Sequence, residues 1–473
     1  MPKKKKLTSD KESIVPSIEK LAALGPEKLV RMLIKEAENS DSLSRRLDLT
    51  LASRRSVNEL AKHLRRNFKQ CIKKNYFISK GGSFDYSREL DDLRATIIEK
   101  ILSQAPETAA ALLEEFIGLN TKAFYIADDS YGAISDVFRQ AVQDWGVAWS
   151  RVQNRDAVAL ARKVYAKRIA NDYGIYDEIV QTFGTALGEN GLAALEHLAL
   201  RELKKLHPIP DDDRSRFFNE NWSARCRIGH IMEGIADLRK DPDSFIEAVR
   251  ILGRETVHGV EIAERLMDAD RFDEAIEWLN RNSGVQRTYE IPDLKAKCLI
   301  ALGRKDDARD VLWKHFLQTF DSEAYKEAFS LTKAEEYEQL QREALTAASR
   351  SSKLLDALSF LITEGFLREA ASLVLERWQA IDGSVYTTVG SVSKKLTNGF
   401  PLPALVLHRL MAEAVLEKGV SKYYGYAVRD LRAAERLGLA VTEWRGFKNN
   451  EEYMQELRVR HRLKKALWEL YKK

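Results

Sequence analysis

Two segments of the chain, residues 263–279 and 296–312, repeat one residue pattern at a spacing of 33 positions. The matched pairs are Ala263 with Ala296, Leu266 with Leu299, Asp270 with Gly303, Arg271 with Arg304, Asp273 with Asp306, Ala275 with Ala308 and Leu279 with Leu312. Small residues recur where two helices approach closely, and leucines recur where a helix pair packs on its neighbour. A period of this length is typical of helix–turn–helix units that stack to bury their apolar faces. The acidic residues of the pattern then lie at a helix start, where the helix dipole favours them.

The rest of the sequence also favours helices. Only 24 glycines and 10 prolines interrupt 473 residues, and most segments carry apolar residues three and four positions apart. The best strand candidate is Val385–Val389, although Gly383 and Gly390 beside it are equally compatible with a loop. We therefore predict an all-α fold, an elongated α-solenoid of tetratricopeptide-like helical hairpins with a less regular N-terminal helical bundle. The full Trp-Leu-Gly-Tyr pattern of tetratricopeptide repeats is missing.

Composition shifts along the chain predict its domain organisation. Residues 1–12, which include four consecutive lysines, are expected to form a disordered basic tail. An N-terminal helical domain follows over residues 13–206. The segment HPIPDDDRSR lies within a predicted linker, residues 207–221. The tetratricopeptide-like repeat domain then covers residues 222–473 and ends in a basic capping helix.

Several segments together resemble a known family. They are residues 21–52, 127–146 (ADDSYGAISDVFRQAVQDWG), 172–192 (DYGIYDEIVQTFGTALGENGL), 423–439 (YYGYAVRDLRAAERLGL) and 453–471. The set resembles a bacterial family, domain of unknown function 6880, whose members are long helical-repeat proteins. The last segment is also similar to the helical tails of bacterial SWIM zinc-finger proteins, but the Cys-x-Cys and Cys-x-His pairs of the SWIM motif are missing. The resemblance therefore implies an architecture, without a zinc site and without an activity.

A cluster of basic residues is the strongest indication in the sequence of a binding function. Residues 54–80 carry nine Lys and Arg against one acid, Glu59. The candidates for nucleic-acid or anion binding are Lys62, Arg65, Arg66, Lys69 and Lys73, with Arg458 and Arg462 near the C-terminus. A cationic stripe neutralises phosphates, and the interleaved Phe68, Tyr76 and Phe77 could stack bases. Residues 101–452 are net acidic, so ion pairs within the chain are the alternative, and it is the one we favour.

Asp128 and Asp129 are the sharpest polar pair. Adjacent carboxylates could bind a cation or polarise water. Aspartate before a helix start also caps the first turn, and a helix is predicted to begin near Ala133. Capping alone explains these residue types, so we favour it over a cation site.

Other catalytic patterns are weak. His230 with Glu233, and His258 with Glu261, could each present two ligands on one helix face, but no third ligand accompanies either pair. Cys71 lies among basic residues, which would lower its thiol pKa, yet its amphipathic helix favours a structural thiol. Glycine-rich phosphate loops and the Gly-x-Ser-x-Gly elbow are missing. We predict no catalytic residue, no metal and no cofactor.

These observations predict a non-enzymatic cytoplasmic scaffold or adaptor that binds a protein or peptide through its helical-repeat surface. Three widely spaced cysteines, no signal peptide and no apolar run of membrane-spanning length support the cytoplasmic, non-membrane expectation. The alternative is a nucleic-acid-associated protein that uses residues 54–80 and the basic C-terminal helix. The second alternative is an enzyme with a site near Asp128 and Asp129.

Overall fold

The computed structural model describes residues 17–74, 76–206, 221–253, 257–282 and 287–472, without the side chains of Asp41 and Ser42. Helices account for nearly all of its regular structure. Within these ranges there is no strand, only a parallel bridge between Ile78 and Ala127. The prediction of an all-α fold is confirmed. The predicted tail and most of the predicted linker lie outside the described residues.

The chain divides into two compact units, Met1–Glu255 and Thr256–Lys473. The helices described in the first unit are α1 (Ile18–Ala22), α2 (Pro26–Asn39), α3 (Asp41–Ser53), α4 (Val57–Cys71), α5 (Ser83–Lys100), α6 (Pro106–Ile117), α7 (Asn120–Ile126), α8 (Ala133–Arg151), α9 (Ala157–Ile169), α10 (Ile179–Leu203), α11 (Trp222–Arg239) and α12 (Pro242–Ile251).

The core of the first unit forms around α8 and α10. Trp145 and Phe183 are fully buried and meet edge to face with ring centroids 4.9 Å apart. The two helices approach closely because Gly146 has no side chain: a Cβ there would lie 2.5 Å from the Thr182 carbonyl oxygen. Further buried rings, Phe116 and Phe138, extend this core.

Helices α11 and α12, which we predicted to open the repeat domain, belong to the first unit. Ile231 and Ile235 of α11 are buried in the same apolar cluster as α10. Leu238 of α11 packs directly against Gly184 of α10, where a Cβ atom would lie only 2.6 Å from the Leu238 Cδ2 atom. The division therefore falls after residue 255, because a continuous apolar face of α11 completes the first core.

Helices α1 and α2 differ from the amphipathic pattern that their sequences suggest. Neither helix contains a buried residue. Val30 and Ile34 are about half exposed, at 52% and 55%. Their apolar residues have the expected helical spacing, but the described part of the unit does not cover them.

The helices described in the second unit are α13 (Gly259–Asp268), α14 (Phe272–Arg281), α15 (Ile291–Ala301), α16 (Lys305–Thr319), α17 (Ser322–Ser330), α18 (Tyr337–Arg350), α19 (Leu354–Thr363), α20 (Leu367–Arg377), α21 (Tyr386–Leu396), α22 (Pro401–Lys418), α23 (Tyr424–Gly438), α24 (Asn450–Arg460) and α25 (Lys465–Lys472).

The sequence repeat coincides with helical hairpins in this unit. Helices α13 and α14 form one pair, and α15 and α16 form the next. The small residues of the repeat, Ala275 and Ala308 among them, have no exposed surface. The matched turn residues Asp270 and Gly303 both have left-handed backbones, with φ of 58° and 76°. A shared turn conformation explains why an aspartate and a glycine occupy one repeat position.

The segment Val385–Val389 is neither a strand nor a loop. Val385 caps α21, and the residues that follow form the first turn of this helix, which buries Val389, Val392 and Leu396. These positions follow three- and four-residue steps beyond the stretch that shows alternation, so the helical period determines the structure.

The C-terminal basic segment forms two helices rather than one capping helix. Helix α24 ends at Arg460, and α25 begins at Lys465. The break is stabilised by the Trp468 indole, which donates to the His461 carbonyl at 3.0 Å. Leu457 is buried, and Trp468 and Tyr471 pack against the same apolar cluster.

Candidate functional site

The predicted basic stripe lies mainly on α4. Lys62, Arg65, Arg66 and Lys69 are exposed on this helix, and Lys73 is exposed just beyond its end. Phe68 is buried at 3% exposure, so it cannot stack on a base. Tyr76 and Phe77, in the loop that follows, are exposed at 66% and 63%. Of the three aromatic residues predicted to interleave with the stripe, only Tyr76 and Phe77 are therefore accessible, and both lie beyond α4.

Two arginines of the stripe form ion pairs within the first unit. Arg65 donates through Nε and Nη2 to Glu115 of α6 at 2.8–3.0 Å. This carboxylate raises the pKa of Arg65. Arg66 donates to Asp48 of α3 at 2.6 Å. Burial by itself raises the Asp48 pKa, but hydrogen bonds from His63 and Arg66 outweigh burial and lower it. Within the described residues Lys62, Lys69 and Lys73 have no ion-pair partner.

Charge reversal tests which role the stripe has. We expect the triple variant Arg65→Glu, Arg66→Glu and Lys69→Glu to lower the free energy of unfolding by about 1–2 kcal/mol, since two exposed ion pairs become like-charge contacts. Urea unfolding measures the loss, and Lys62→Glu, which breaks no described ion pair, is the control. Submicromolar, salt-sensitive binding of DNA or RNA by the wild type, abolished in a stable triple variant, would instead support a phosphate-binding role.

The C-terminal arginines lie in the second unit. Arg458 is exposed and stacks over the Trp468 ring, 6.0 Å from its centroid. Arg462 is exposed in the break between α24 and α25. Between them, Arg460 forms ion pairs with Glu413 and Glu456 at 3.2 and 3.0 Å. Only part of the positive charge of this segment is therefore available to a ligand.

Asp128 and Asp129 point to different hydrogen-bond donors. Asp128 accepts the Ser130 backbone N–H at 2.9 Å and the Ser130 hydroxyl, and this side-chain bond lowers its pKa. Asp129 accepts the N–H groups of Ile134 and Ser135 at 2.8 and 2.9 Å. These are donors in the first turn of α8, so Asp129 caps the helix. No group of three His, Cys, Asp or Glu residues suited to a metal occurs in the described ranges.

Removing the Asp129 cap is expected to cost about 1 kcal/mol of unfolding free energy. Asp129→Ala leaves the Ile134 and Ser135 N–H groups without their carboxylate, and urea unfolding measures the effect. Asp92→Ala, which removes an exposed carboxylate with no described hydrogen bond, is the control and should change stability by less than about 0.5 kcal/mol. A divalent cation that the wild type retains through purification and Asp129→Ala loses would identify a cation site instead.

The remaining candidates for a chemical role are two histidines, His258 and His230, and the thiol of Cys71. His258, the residue before α13, has its Nδ1 atom 4.0 Å from the Glu261 carboxylate, and His230 Nδ1 lies 3.1 Å from the Arg168 guanidinium. Cys71 is fully buried. Burial raises the pKa of its thiol to about 12, the opposite of the lowering that nearby basic residues suggested. Cys71 is therefore a poor nucleophile at neutral pH.

A cleft of about 500 Å³ in the second unit is lined mainly by tyrosines and cationic side chains. It lies where the ends of three helices meet: the start of α21, the last turn of α22 and the start of α23. The lining residues are Tyr386, Val415, Lys418, Tyr423, Tyr426 and Arg429. We call it the tyrosine cleft. Its three tyrosines are between 39% and 54% exposed, so their rings are accessible to a ligand.

Cations lie against the tyrosine rings. Lys418 is 5.7 Å from the centroid of Tyr386, and Arg429 is 5.4 Å from that of Tyr426. Lys422, next to the cleft, is 4.8 Å from the centroid of Tyr423. Such contacts attract the cation to the ring face and restrict its motion. No carboxylate is among the lining residues.

A buried carboxylate positions one of these cations. Asp430 is 1% exposed and accepts a hydrogen bond from Arg429 Nη2 at 3.3 Å. The Nδ1 atom of His408 in α22 lies 3.1 Å from the other carboxylate oxygen of Asp430. Arg429 itself stays 64% exposed. The guanidinium is therefore held at the cleft while part of it remains available to a ligand.

A larger cleft in the first unit, about 740 Å³, has mixed charge. Its charged lining residues are Arg46, Lys74, Asp85, Arg88, Glu89, Asp91 and Asp92. Lys74 pairs with Glu89 at 3.2 Å, and Arg88 pairs with Asp85. These cations are neutralised by neighbouring acids, so the cleft has no evident preference for an anionic or a cationic ligand.

Sequence reasoning did not single out the tyrosine cleft, although part of it was visible. The segment SKYYGY, residues 421–426, places three tyrosines within four positions, between Lys418 and Arg429. Tyr423 and Tyr426 share a face, whereas Tyr424 is buried at 5% exposure. An aromatic cluster of this density between cations is a signal for a binding surface.

Comparisons with known proteins place the chain in a family. No curated protein matches it. Among solved structures it is similar to a circular tandem repeat protein with novel repeat topology and enhanced subunit contact surfaces, at 13% identity and a TM-score of 0.17, over 93% of this chain and 92% of that one. The model of the family of unknown function DUF6880 matches residues 17–470. The chain therefore belongs to this family, in agreement with the resemblance found in its sequence.

Proposed function

We propose that the protein is a non-enzymatic cytoplasmic scaffold that binds a peptide segment of a partner protein in the tyrosine cleft. The observation that carries the proposal is the lining, which combines three accessible tyrosine rings with two cations and no carboxylate. Tyrosine and arginine are the residue types enriched where protein interfaces gain most of their binding energy. The volume of about 500 Å³ lies in the range of ligand pockets and suits a few residues of a peptide.

The chemistry of the lining supports binding rather than catalysis. The cleft lining contains no imidazole, thiol or carboxylate, the groups that most often transfer protons or act as nucleophiles. Stacked helical hairpins are a common framework for peptide and protein recognition, since their packing fixes side chains on a rigid surface. Cys71 and Cys298 are free thiols, which suits a reducing compartment. Among the described helices, none combines the length and the apolar character needed to cross a membrane.

Selection from a random peptide library tests the proposal. Full-length wild type and its Tyr426→Ala variant are immobilised in parallel. We expect peptides that share a motif on the wild type and are lost on the variant, because Tyr426 forms one wall of the cleft. Tyr289→Ala, which removes a tyrosine that is 72% exposed and does not line the cleft, should retain them. Enrichment of the same peptides on all three proteins, or of none on the wild type, would contradict the proposal.

A further inference from the structure

The tyrosine cleft restricts the chemistry of its ligand through charge. Its two charged lining residues, Lys418 and Arg429, are both cations. Lys422, next to the cleft, adds a third cation, which lies 4.8 Å from the centroid of the Tyr423 ring. Asp430 offsets the charge of Arg429 but is itself buried, and Asp382 offsets part of the charge of Lys418. A ligand that fits this surface presents negative charge beside apolar groups.

The arrangement of the rings restricts the shape of that ligand. The Tyr423 and Tyr426 centroids are 6.4 Å apart, and the ring planes are inclined by 40°. A flat nucleobase held between two rings needs parallel planes separated by about 7 Å, twice the optimal contact distance between carbon atoms. Inclined rings form a wedge instead. A compact, puckered ring need not insert between the two tyrosines, since its CH groups can pack on the exposed face of either one.

Proline has such a ring, and aromatic-lined grooves bind extended proline-containing peptides. A polyproline helix is already extended before binding and therefore loses little conformational entropy. Its carbonyl groups carry no internal hydrogen bonds, so they are free to accept hydrogen bonds from the lining tyrosines. Acidic residues on either side of the proline would then approach Lys418 and Arg429.

We infer that the tyrosine cleft binds an acidic, proline-containing peptide in an extended conformation. The inference rests on the proposed function and adds the chemical class of the partner segment. Tyr423 and Tyr426 hold the proline ring, and Lys418 and Arg429 bind the flanking carboxylates. Asp430 acts as a positioning residue for Arg429, since it contacts the guanidinium from beneath the cleft.

Binding of labelled synthetic ligands to the full-length protein tests the inference. The ligands are a peptide of alternating glutamate and proline, matched glutamate–alanine and lysine–proline peptides, and an oligothymidylate of equal length. Fluorescence anisotropy at physiological salt should give the glutamate–proline peptide an affinity about tenfold or more above each of the others. Equal affinity for the glutamate–alanine peptide, or tighter binding of the oligothymidylate, would overturn the inference.

Variants assign the binding to the cleft. Tyr426→Ala should weaken the glutamate–proline peptide by about tenfold or more, and Lys418→Gln should weaken it while reducing its salt dependence. Tyr289→Ala and Lys395→Gln, at exposed positions outside the lining, should bind as the wild type does. If Tyr426→Ala unfolds, as judged by circular dichroism, Lys418→Gln decides the outcome. Unchanged binding in the folded cleft variants would overturn the inference.

The outcome can be separated from that of the proposed function. If library selection yields cleft-dependent peptides without acidic residues or proline, the scaffold function stands and the ligand class is wrong. If no peptide from the library depends on the cleft, the proposed function fails as well.

Discussion

Substitution of Gly383 by alanine is expected to lower the free energy of unfolding by about 3 kcal/mol, at the upper end of overpacking effects. A Cβ at this position would lie 2.2 Å from the Leu410 carbonyl oxygen and 2.5 Å from its carbon. These are backbone atoms in the interior of α22, which is held by its own hydrogen bonds. The contact therefore cannot be relieved by a side-chain rotation.

Gly390→Ala is the matched control, since it adds the same methyl group seven residues later. Gly390 lies inside α21, where the nearest atom to an added Cβ is the Met411 sulfur at 3.9 Å, an ordinary contact. Alanine favours helix over glycine by up to about 1 kcal/mol, so this variant should be more stable than the wild type. Thermal or urea unfolding of the two variants should give opposite signs. If Gly383→Ala left the stability unchanged, the turn before α21 would not approach α22 as closely as described.

The same two glycines illustrate what sequence could and could not predict. The sequence suggested a strand or a loop between them, because residues Val385–Val389 show a strand-like alternation and a glycine lies near each end of this segment. The structure shows that Gly383 allows the backbone before α21 to approach α22 closely, whereas Gly390 lies in the interior of α21. Such a close approach depends on α22, more than 20 residues away, and no local pattern encodes it.

The helical hairpins, by contrast, were predictable because their determinants are local. Ala275 and Ala308 had to be small at a helix contact, and Asp270 and Gly303 had to tolerate a left-handed turn. These requirements repeat with the period of the structure, so two copies in the sequence are enough to identify them. The extent of the first unit was less predictable, since α11 joins its core through contacts with a helix on the other side of the proline-containing segment.

The candidate site was predictable only in part for the same reason. Tyr423, Tyr426 and Arg429 are close in sequence and could have been recognised as a cluster. Tyr386 and Lys418 come from two other helix ends, and only the packing of α21, α22 and α23 brings them together. The basic stripe was visible in the sequence, but the partners of Arg65 and Arg66 lie on α6 and α3. A charge pattern reports which side chains are cationic and does not report whether acids already neutralise them.

A buried arginine near the end of the chain gives the second large expected effect. Arg409 of α22 is 6% exposed and has no carboxylate among its described hydrogen-bond partners. It donates to the Lys448 carbonyl at 2.8 Å and to Asn450 Oδ1 at 3.0 Å. Its guanidinium also lies 4.0 Å from the centroid of Tyr453. Burial disfavours the cation and lowers the pKa of Arg409 to about 10, so these contacts must offset the cost of desolvation.

Arg409 connects three helices through these contacts. Asn450, which begins α24, donates in turn to the Glu435 carbonyl of α23 at 3.1 Å. Tyr453 donates to Glu413 of α22 at 2.7 Å. The segment that follows α23 is therefore held against α22 by polar contacts, and α24 covers the cluster that contains Leu457.

We expect Arg409→Ala to lower the free energy of unfolding by about 3 kcal/mol, because two hydrogen bonds from a charged donor and the packing on Tyr453 are lost. Arg409→Lys should recover little of this, since an ammonium group cannot reach both acceptors in the planar geometry of a guanidinium. Arg342→Ala, at a side chain that is 73% exposed, is the control and should change stability by less than about 0.5 kcal/mol. Hydrogen exchange should also locate the defect, with faster exchange in α24 and unchanged exchange in α13 and α14. A loss below about 1 kcal/mol, or a defect spread evenly over the second unit, would show that Arg409 does not fix the C-terminal helices.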